Sequence, residues 1–295
     1  MNENREWTNV TRRFALALGV MTVFAPAALA GQTPDKIGLM IIAHGSRRAA
    51  WNETLRSLEP QVREALANDS ASSAYKWDVT VCFLEECMPT IEETLAGFER
   101  NDCTRVVAVP LFVAQGEHVQ VDIPQALGLV PGHERNTSLP VVLTGQLSTG
   151  TVMEQWAASQ VQSLSTAPQQ EAVVLLAHGG HDPVRWERLL RRMASQVCGT
   201  TGITYADWAI VQVGQSYQEH GVEAIRRAQA QRPRVIVLGA YAALSAARIH
   251  EKWAPHLQFG PRVAFSRQGV LPNPHVPHWV VTTALAALSN TPVEE

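Results

Sequence analysis

Two histidines and an adjacent pair of carboxylates are the groups in this sequence best suited to chemistry. His44 follows the apolar run "GLMIIA" and precedes Gly-Ser-Arg-Arg. Glu85 and Glu86 follow a second apolar run, and His118 closes the loop "VAQGEH". Neutral imidazole ligates cobalt, nickel, iron and zinc, and a carboxylate nearby adds charge, takes a proton or orients a ring. That combination suits a site that holds a divalent ion and gives it up. Taken alone, His44 reads equally well as a hydrogen-bonded turn residue. A hydrolase built on Ser46 is disfavoured, because no Gly-x-Ser-x-Gly elbow surrounds it.

The first of these stretches returns. "GLMIIAHGSRRAAW" at Gly38–Trp51 is echoed by "AVVLLAHGGHDPVRW" at Ala172–Trp186, which brings His178 and His181 as a second pair of candidate metal ligands. Each copy opens a run of alternating elements. The expected strands of the first half are Ile37–Ala43, Trp77–Leu84, Arg105–Val113 and Pro140–Leu143. Those of the second are Ala172–Ala177, Tyr205–Val213, Arg234–Ala242 and Arg262–Phe265. Continuous apolarity marks parallel strands covered on both faces. Helices are expected over Ala49–Ala67, Thr90–Arg100, Val184–Val197 and Glu219–Ala230, with a last helix in each half around Trp156 and Trp279. In the first helix, Trp51, Leu55, Leu58, Val62 and Leu66 recur at spacings of three and four.

This alternation predicts an α/β protein of two repeated flavodoxin-like lobes, each a parallel sheet with helices on both faces, and a cleft between them. The linker falls at Ser165–Gln170, between a lobe at residues 31–166 and one at 171–295. Ligands of such sheets bind at the carboxyl ends of the strands. His44, Glu85, Glu86 and the loop through Ala114, Gln115, Gly116 and Glu117 to His118 all lie just past strand ends, so they converge on one rim. His133, His220 and His256 read as structural residues, and His275 and His278 as surface or substrate-adjacent.

The chain has 295 residues, 46% apolar and 17% charged, with a formal net charge of −3. This supports a sizeable core and gives no basic excess for nucleic acid. Residues 1–30 read as an export signal: Arg12 and Arg13, an apolar run Phe14–Phe24, then "APAALA", with cleavage expected after Ala30. The run is shorter than the roughly 20 residues that span a bilayer, so no membrane span is expected after cleavage. The arginine pair resembles a twin-arginine signal, but its spacing favours the general secretory route to the periplasm. An oxidising compartment allows a disulfide among Cys82, Cys87 and Cys103. No Cys-x-x-Cys pair occurs, which argues against a zinc ribbon or a thioredoxin-type site.

The ordered set "AHGSR", "FLEECMP" and "VPLFVAQGEHVQVDIP" resembles the class II tetrapyrrole chelatases, in particular the sirohydrochlorin cobaltochelatases. The resemblance implies insertion of cobalt, with nickel and iron as alternatives, into a reduced tetrapyrrole, without ATP or an organic cofactor. It implies that His44 and His118 bind the metal and that His44 also accepts a proton. The acidic partner is Glu85 by the pattern of one branch and Glu86 by that of the two-lobed branch. Arg47 and the Ala114–Glu117 loop are expected to contact the substrate; Arg47 and Arg48 offer charge-assisted hydrogen bonds to its carboxylates. The second half departs from the pattern: Gln215 stands where the two-lobed branch has its glutamate, Ala247 where a ligand histidine belongs, and His250 lies three residues beyond. The expected working site is therefore in the first half, although the two-lobed branch works with its second. The competing reading is a non-catalytic periplasmic protein that binds metal or metallotetrapyrrole.

Overall fold

The computed structural model describes residues 34–113, 116–133, 137–178, 183–211 and 216–289. The expected leader, Ala114, Gln115, His181 and Gln215 lie outside these. Two four-stranded sheets form, each entirely parallel, in the orders β2-β1-β3-β4 and β6-β5-β7-β8. In the first, β1 is Lys36–Ala43, β2 Lys76–Phe83, β3 Arg105–Pro110 and β4 Val141–Leu143. In the second, β5 is Glu171–His178, β6 Ala206–Val211, β7 Arg234–Ala240 and β8 Val263–Phe265. The identical strand order is the repeat seen in the sequence.

The helices of the first half are α1 (Ala49–Arg56), α2 (Leu58–Asn68), α3 (Ile91–Arg100), α4 (Ile123–Ala126) and α5 (Val152–Leu164). Those of the second are α6 (Pro183–Thr201), α7 (Val222–Gln231), α8 (Ala246–Trp253) and α9 (Val276–Ser289). One expected helix is divided: Ala49–Ala67 breaks at Ser57 into α1 and α2. Pro60 is the physical reason. It has no N–H to donate back along a continuing helix, but it is tolerated in the first turn of a new one. At α3, Thr90 and Glu93 form a reciprocal capping box that fixes the helix start.

Side chains alternate across β1, and each set reaches a different core. Ile37, Leu39 and Ile41 join a large central core, whereas Met40 and Ile42 pack outward with Leu95 and Phe98 of α3. The central core is shared by both sheets, because the last helix of each half crosses over. The first half's α5 packs on α6 and β7, and the second half's α9 packs on α2 and β3. Trp156 on α5 donates its Nε1 hydrogen to the Gly269 carbonyl at 3.0 Å, and Gln160 Nε2 donates to Gln268 Oε1 at 2.9 Å. The residues from Pro34 onward consequently form one compact unit.

The disulfide considered among Cys82, Cys87 and Cys103 does not form; all four cysteines are free thiols. Cys82 and Cys103 serve as small apolar residues in the outer core of the first half. Burial pushes their thiols up to about 12 and about 11, away from the reactive thiolate.

The linker is clamped. Glu171, fully buried at the start of β5, accepts hydrogen bonds from the Thr166 and Ala167 amides at 2.9 and 3.2 Å and pairs with Arg234. Arg234 also donates to the Leu164 carbonyl at 2.9 Å. Burial raises the Glu171 pKa, but these hydrogen bonds outweigh it and hold the carboxyl below its usual value. A carboxyl with a depressed folded-state pKa adds stability above its unfolded value and loses it as pH falls through the folded one. Glu171→Ala should therefore cost about 3 kcal/mol, since it breaks a buried pair, and should flatten the acid limb of the stability profile. Urea melts from neutral to acid pH check both.

Candidate metal centre

The strand ladder delivers two of the donors. Beyond the ends of β1 and β2 the pairing continues: the Leu84 amide donates to the Ala43 carbonyl at 2.8 Å, and the Glu85 amide to the His44 carbonyl at 3.1 Å. His44 and Glu85 thus become neighbours by register. Gly45 makes this approach possible. Its φ is +89°, and a Cβ there would lie 1.9 Å from the Glu85 carbonyl oxygen. The third donor comes from the loop after β3, where a single π-turn over His118–Asp122 leads into α4. Such turns recur at functional positions.

His44, Glu85 and His118 offer ligand atoms that all lie within 4.8 Å of one another, the one such group of three among the described residues. His44 Nε2 is 2.9 Å from Glu85 Oε1, and the two imidazoles meet edge to face with centroids 4.8 Å apart. Two bonds of about 2.0–2.1 Å span about 4 Å at most, so a cation would draw the trio slightly inward. All three side chains are close to half exposed, leaving one side open to a ligand. The Phe112 ring walls the other side, with centroids 6.4 Å from His44 and 5.9 Å from His118.

Hydrogen bonds set the tautomers. His118 Nδ1 lies 2.6 Å from Asp122 Oδ2. A carboxylate accepts, so Nδ1 carries the hydrogen and Nε2 keeps its lone pair for an ion. His44 faces an acceptor on each side, the Gly45 carbonyl 3.2 Å from Nδ1 and Glu85 Oε1 2.9 Å from Nε2, and a cation seated between Nε2 and Oε1 would take the Nε2 lone pair while Nδ1 keeps its hydrogen for the carbonyl. Asp122 is the residue that sequence reasoning missed. The signal was its position four residues after His118, one turn along a helical segment.

The two glutamates take different positions. Glu86, with φ +61°, turns away from the trio and meets Arg47 through two hydrogen bonds, 2.7 Å from Nε and 3.1 Å from Nη2. The hydrogen bonds that Arg47 donates hold the Glu86 carboxyl below its usual range, and the same bonds raise the Arg47 pKa. Arg47 stays highly exposed, and Arg48 forms the N-cap position of α1. Gly116 and Glu117 lead into the turn that carries His118, and a Cβ at Gly116 would meet nothing within 4 Å.

The second half offers no such set among its described residues. His178 sits at the end of β5, its ring centroid 5.9 Å from that of Tyr241. Ala247 lies in α8, and His250 is committed elsewhere: its Nε2 lies 2.9 Å from the Leu257 carbonyl and its Nδ1 2.8 Å from the Tyr217 hydroxyl. The carbonyl can only accept, so Nε2 is the donor and Nδ1 accepts from Tyr217. Neither nitrogen is left for a metal. His275 and His278 are exposed at the start of α9, beside a separate cavity lined by Thr151, Gln155 and Trp279.

Asp122→Asn should keep the fold but loosen cobalt binding about 10- to 100-fold, the usual effect of losing a ligand's orienting partner. Cobalt titration followed by visible absorbance measures it. An unchanged affinity would show that Asp122 does not orient His118.

The CbiX family model matches residues 38–164. The sirohydrochlorin cobaltochelatase of Methanococcoides burtonii is 35% identical over 100 residues, 33% of this chain and 68% of that protein. SirB from Bacillus subtilis with Fe3+ superposes with a TM-score of 0.67 at 18% identity, covering 86% of this chain and 97% of that one. The sirohydrochlorin chelatase SirB from Bacillus subtilis subspecies spizizenii in complex with cobalt gives a TM-score of 0.61 at 17% identity, covering 87% and 96%. At those identities the two structures speak for the fold, two parallel α/β lobes. Identity over most of the Methanococcoides protein, together with the CbiX match, establishes kinship: the chain belongs to the CbiX family, the class II tetrapyrrole chelatases.

Proposed function

We propose that this protein inserts a divalent metal into a sirohydrochlorin-type tetrapyrrole and that His44, Glu85 and His118 hold the incoming ion. The observation that carries the reading is the convergence of these three donors on one open rim. Cobalt is the metal we assign, with nickel and iron as competitors, since two imidazoles and a carboxylate suit all three. The reaction needs no nucleotide in this reading. In support, none of the three lysines (Lys36, Lys76 and Lys252) follows a glycine, so the sequence lacks the Gly-Lys pair of a P-loop.

Insertion exchanges two pyrrole protons for one dication. His44 Nε2, His118 Nε2 and Glu85 replace part of the ion's water shell. As the macrocycle nitrogens take the ion, these three groups are vacated, and two of them can accept the two departing protons before passing them to solvent. Asp122 stabilises a charged His118 at that stage, because its carboxylate already faces Nδ1. Glu86 holds Arg47 in place, and the N–H groups that Arg47 does not spend on Glu86 remain available to a substrate carboxylate. The loop from Ala114 to Glu117 contacts the macrocycle beside His118. In this reading the lobe at residues 31–166 carries the metal site and that at 171–295 covers the substrate.

We further propose that residues 1–30 direct export to the periplasm, on the strength of the Arg12–Arg13 pair, the apolar run and "APAALA". N-terminal sequencing of the protein from a periplasmic extract should begin at Gly31. Recovery only from the cytoplasm with residues 1–30 attached counts against it.

Mixing the protein with cobalt and sirohydrochlorin and following the absorbance tests the reaction. Product beyond one equivalent per protein is expected; a shift that stops at one equivalent would mark a carrier instead. His44→Ala and His118→Ala should each abolish metallation with circular dichroism unchanged, since both sit on rim loops rather than in the core. His178→Ala should cost far less. If it is as inactive as His44→Ala, the second half contributes to the working site.

A further inference from the structure

A cavity of about 380 Å³ lies between the two halves. Gln146, Ser148 and Thr149 line it from the loop after β4, and Arg185, Arg188 and Arg192 from one face of α6. Among the described residues no carboxylate is in its lining. Arg192 is fixed in place: its Nε donates to Glu154 Oε1 at 2.5 Å and its Nη2 to the Ser148 carbonyl at 2.7 Å. Arg188 is exposed and has no ion-pair or hydrogen-bond partner among the described residues. Helical spacings of three and four bring the three guanidinium groups to one side.

The first wall of the cavity follows the carboxyl end of β4, in the half that carries the metal donors, and the second is the first half of α6, the helix that follows β5. Both walls thus begin beyond the carboxyl ends of strands. A backbone hydrogen bond links the cavity wall to the donors: the Leu147 amide donates to the Phe112 carbonyl at 3.0 Å, and the Phe112 ring packs beside both His118 and His44.

We propose that Arg185, Arg188 and Arg192 form a carboxylate-binding subsite, which seats peripheral acid groups of the tetrapyrrole while its ring nitrogens face His44, Glu85 and His118. This rests on the chelatase reading and names how that substrate is oriented. The guanidinium fork matches a carboxylate with two parallel hydrogen bonds, which fixes direction as well as charge. Gln146, Ser148 and Thr149 supply further polar groups on the facing wall. Arg192 is paired with Glu154, and Glu85 and Asp122 face His44 and His118.

The test uses Arg188→Glu in the full chain, with Arg188→Lys as the conservative variant. Arg192 is unsuitable, since its loss would strand the buried Glu154. Two bindings are measured separately: metal-free sirohydrochlorin by fluorescence quenching, and cobalt alone by absorbance. Arg188→Glu should weaken sirohydrochlorin binding about 10-fold or more, in keeping with loss of a charge-assisted pair and a new repulsion. Cobalt affinity should be unchanged, and KM for the tetrapyrrole should rise more than kcat falls. Arg188→Lys should lose less, keeping the charge without the fork. Sirohydrochlorin binding within two-fold of wild type in Arg188→Glu, or an equal loss of cobalt affinity, overturns the subsite alone. A wild-type protein that binds cobalt but not sirohydrochlorin overturns the chelatase reading, and the subsite with it.

Discussion

At Gly45 the chain has no room for a Cβ. One would sit 1.9 Å from the carbonyl oxygen of Glu85, and the backbone there has φ +89°. The metal centre depends on this close approach. It lets the ladder between β1 and β2 run one residue past the strands, so that His44 and Glu85 leave the sheet as neighbours. A larger residue would push the two loops apart and carry the imidazole away from the carboxylate. Distances between donors of a few ångströms are thus set by the backbone register of a buried parallel sheet, the stiffest part of the fold. The side chains themselves remain half exposed and free to adjust around an ion.

That rigidity extends to the facing half through the crossed helices. With α5 lying on the second sheet and α9 on the first, neither sheet has a closed inner face of its own, and the central core is common to both. Relative motion of the two rims then costs packing in that core. Glu171 adds a polar tie at the point where the chain passes from one half to the other, holding Thr166, Ala167 and Arg234 together. Halves tied in this way hold a fixed separation between the ends of their sheets. A flat, rigid macrocycle can make use of such a separation; a flexible hinge would give up part of the binding energy to ordering.

β1 and β5 were legible in the sequence because each is a continuous apolar run, the pattern of a doubly covered strand, and the strand–helix alternation after each marked the rest of its sheet. His44, Glu85 and His118 were legible as strand-end residues, and the structure brings them together. Other features depend on contacts that a linear reading does not contain. Glu85 and Glu86 are adjacent and chemically identical, and only the positive φ at Glu86 and the position of Arg47 separate their surroundings. Asp122 sat in plain view in the third motif, but its bond to His118 needs the π-turn to form. The crossing of α5 and α9 left no mark in either helix, since a Trp-bearing apolar face reads the same whichever sheet it covers. The break at Ser57 was signalled by Pro60, as the start of α3 was by Thr90 and Glu93.

The two halves share a strand order but divide the chemistry. The first rim gathers imidazoles and carboxylates around His44, and the second presents arginines along α6. An arginine placed beside a free carboxylate on the same rim would pair with it, as Arg47 pairs with Glu86. A metal donor so paired would be neutralised and withdrawn. With the imidazole donors on the first half and these arginines on α6, the proposed chelatase reading has a polyacidic macrocycle held by its edge while its centre meets the metal. The second half can lose its own ligands without penalty under this division. Its His250 then serves the fold, fixed between Tyr217 and the Leu257 carbonyl and stacked 4.5 Å from the Phe265 ring. A duplicated lobe that no longer has to hold an ion is free to specialise in holding the substrate.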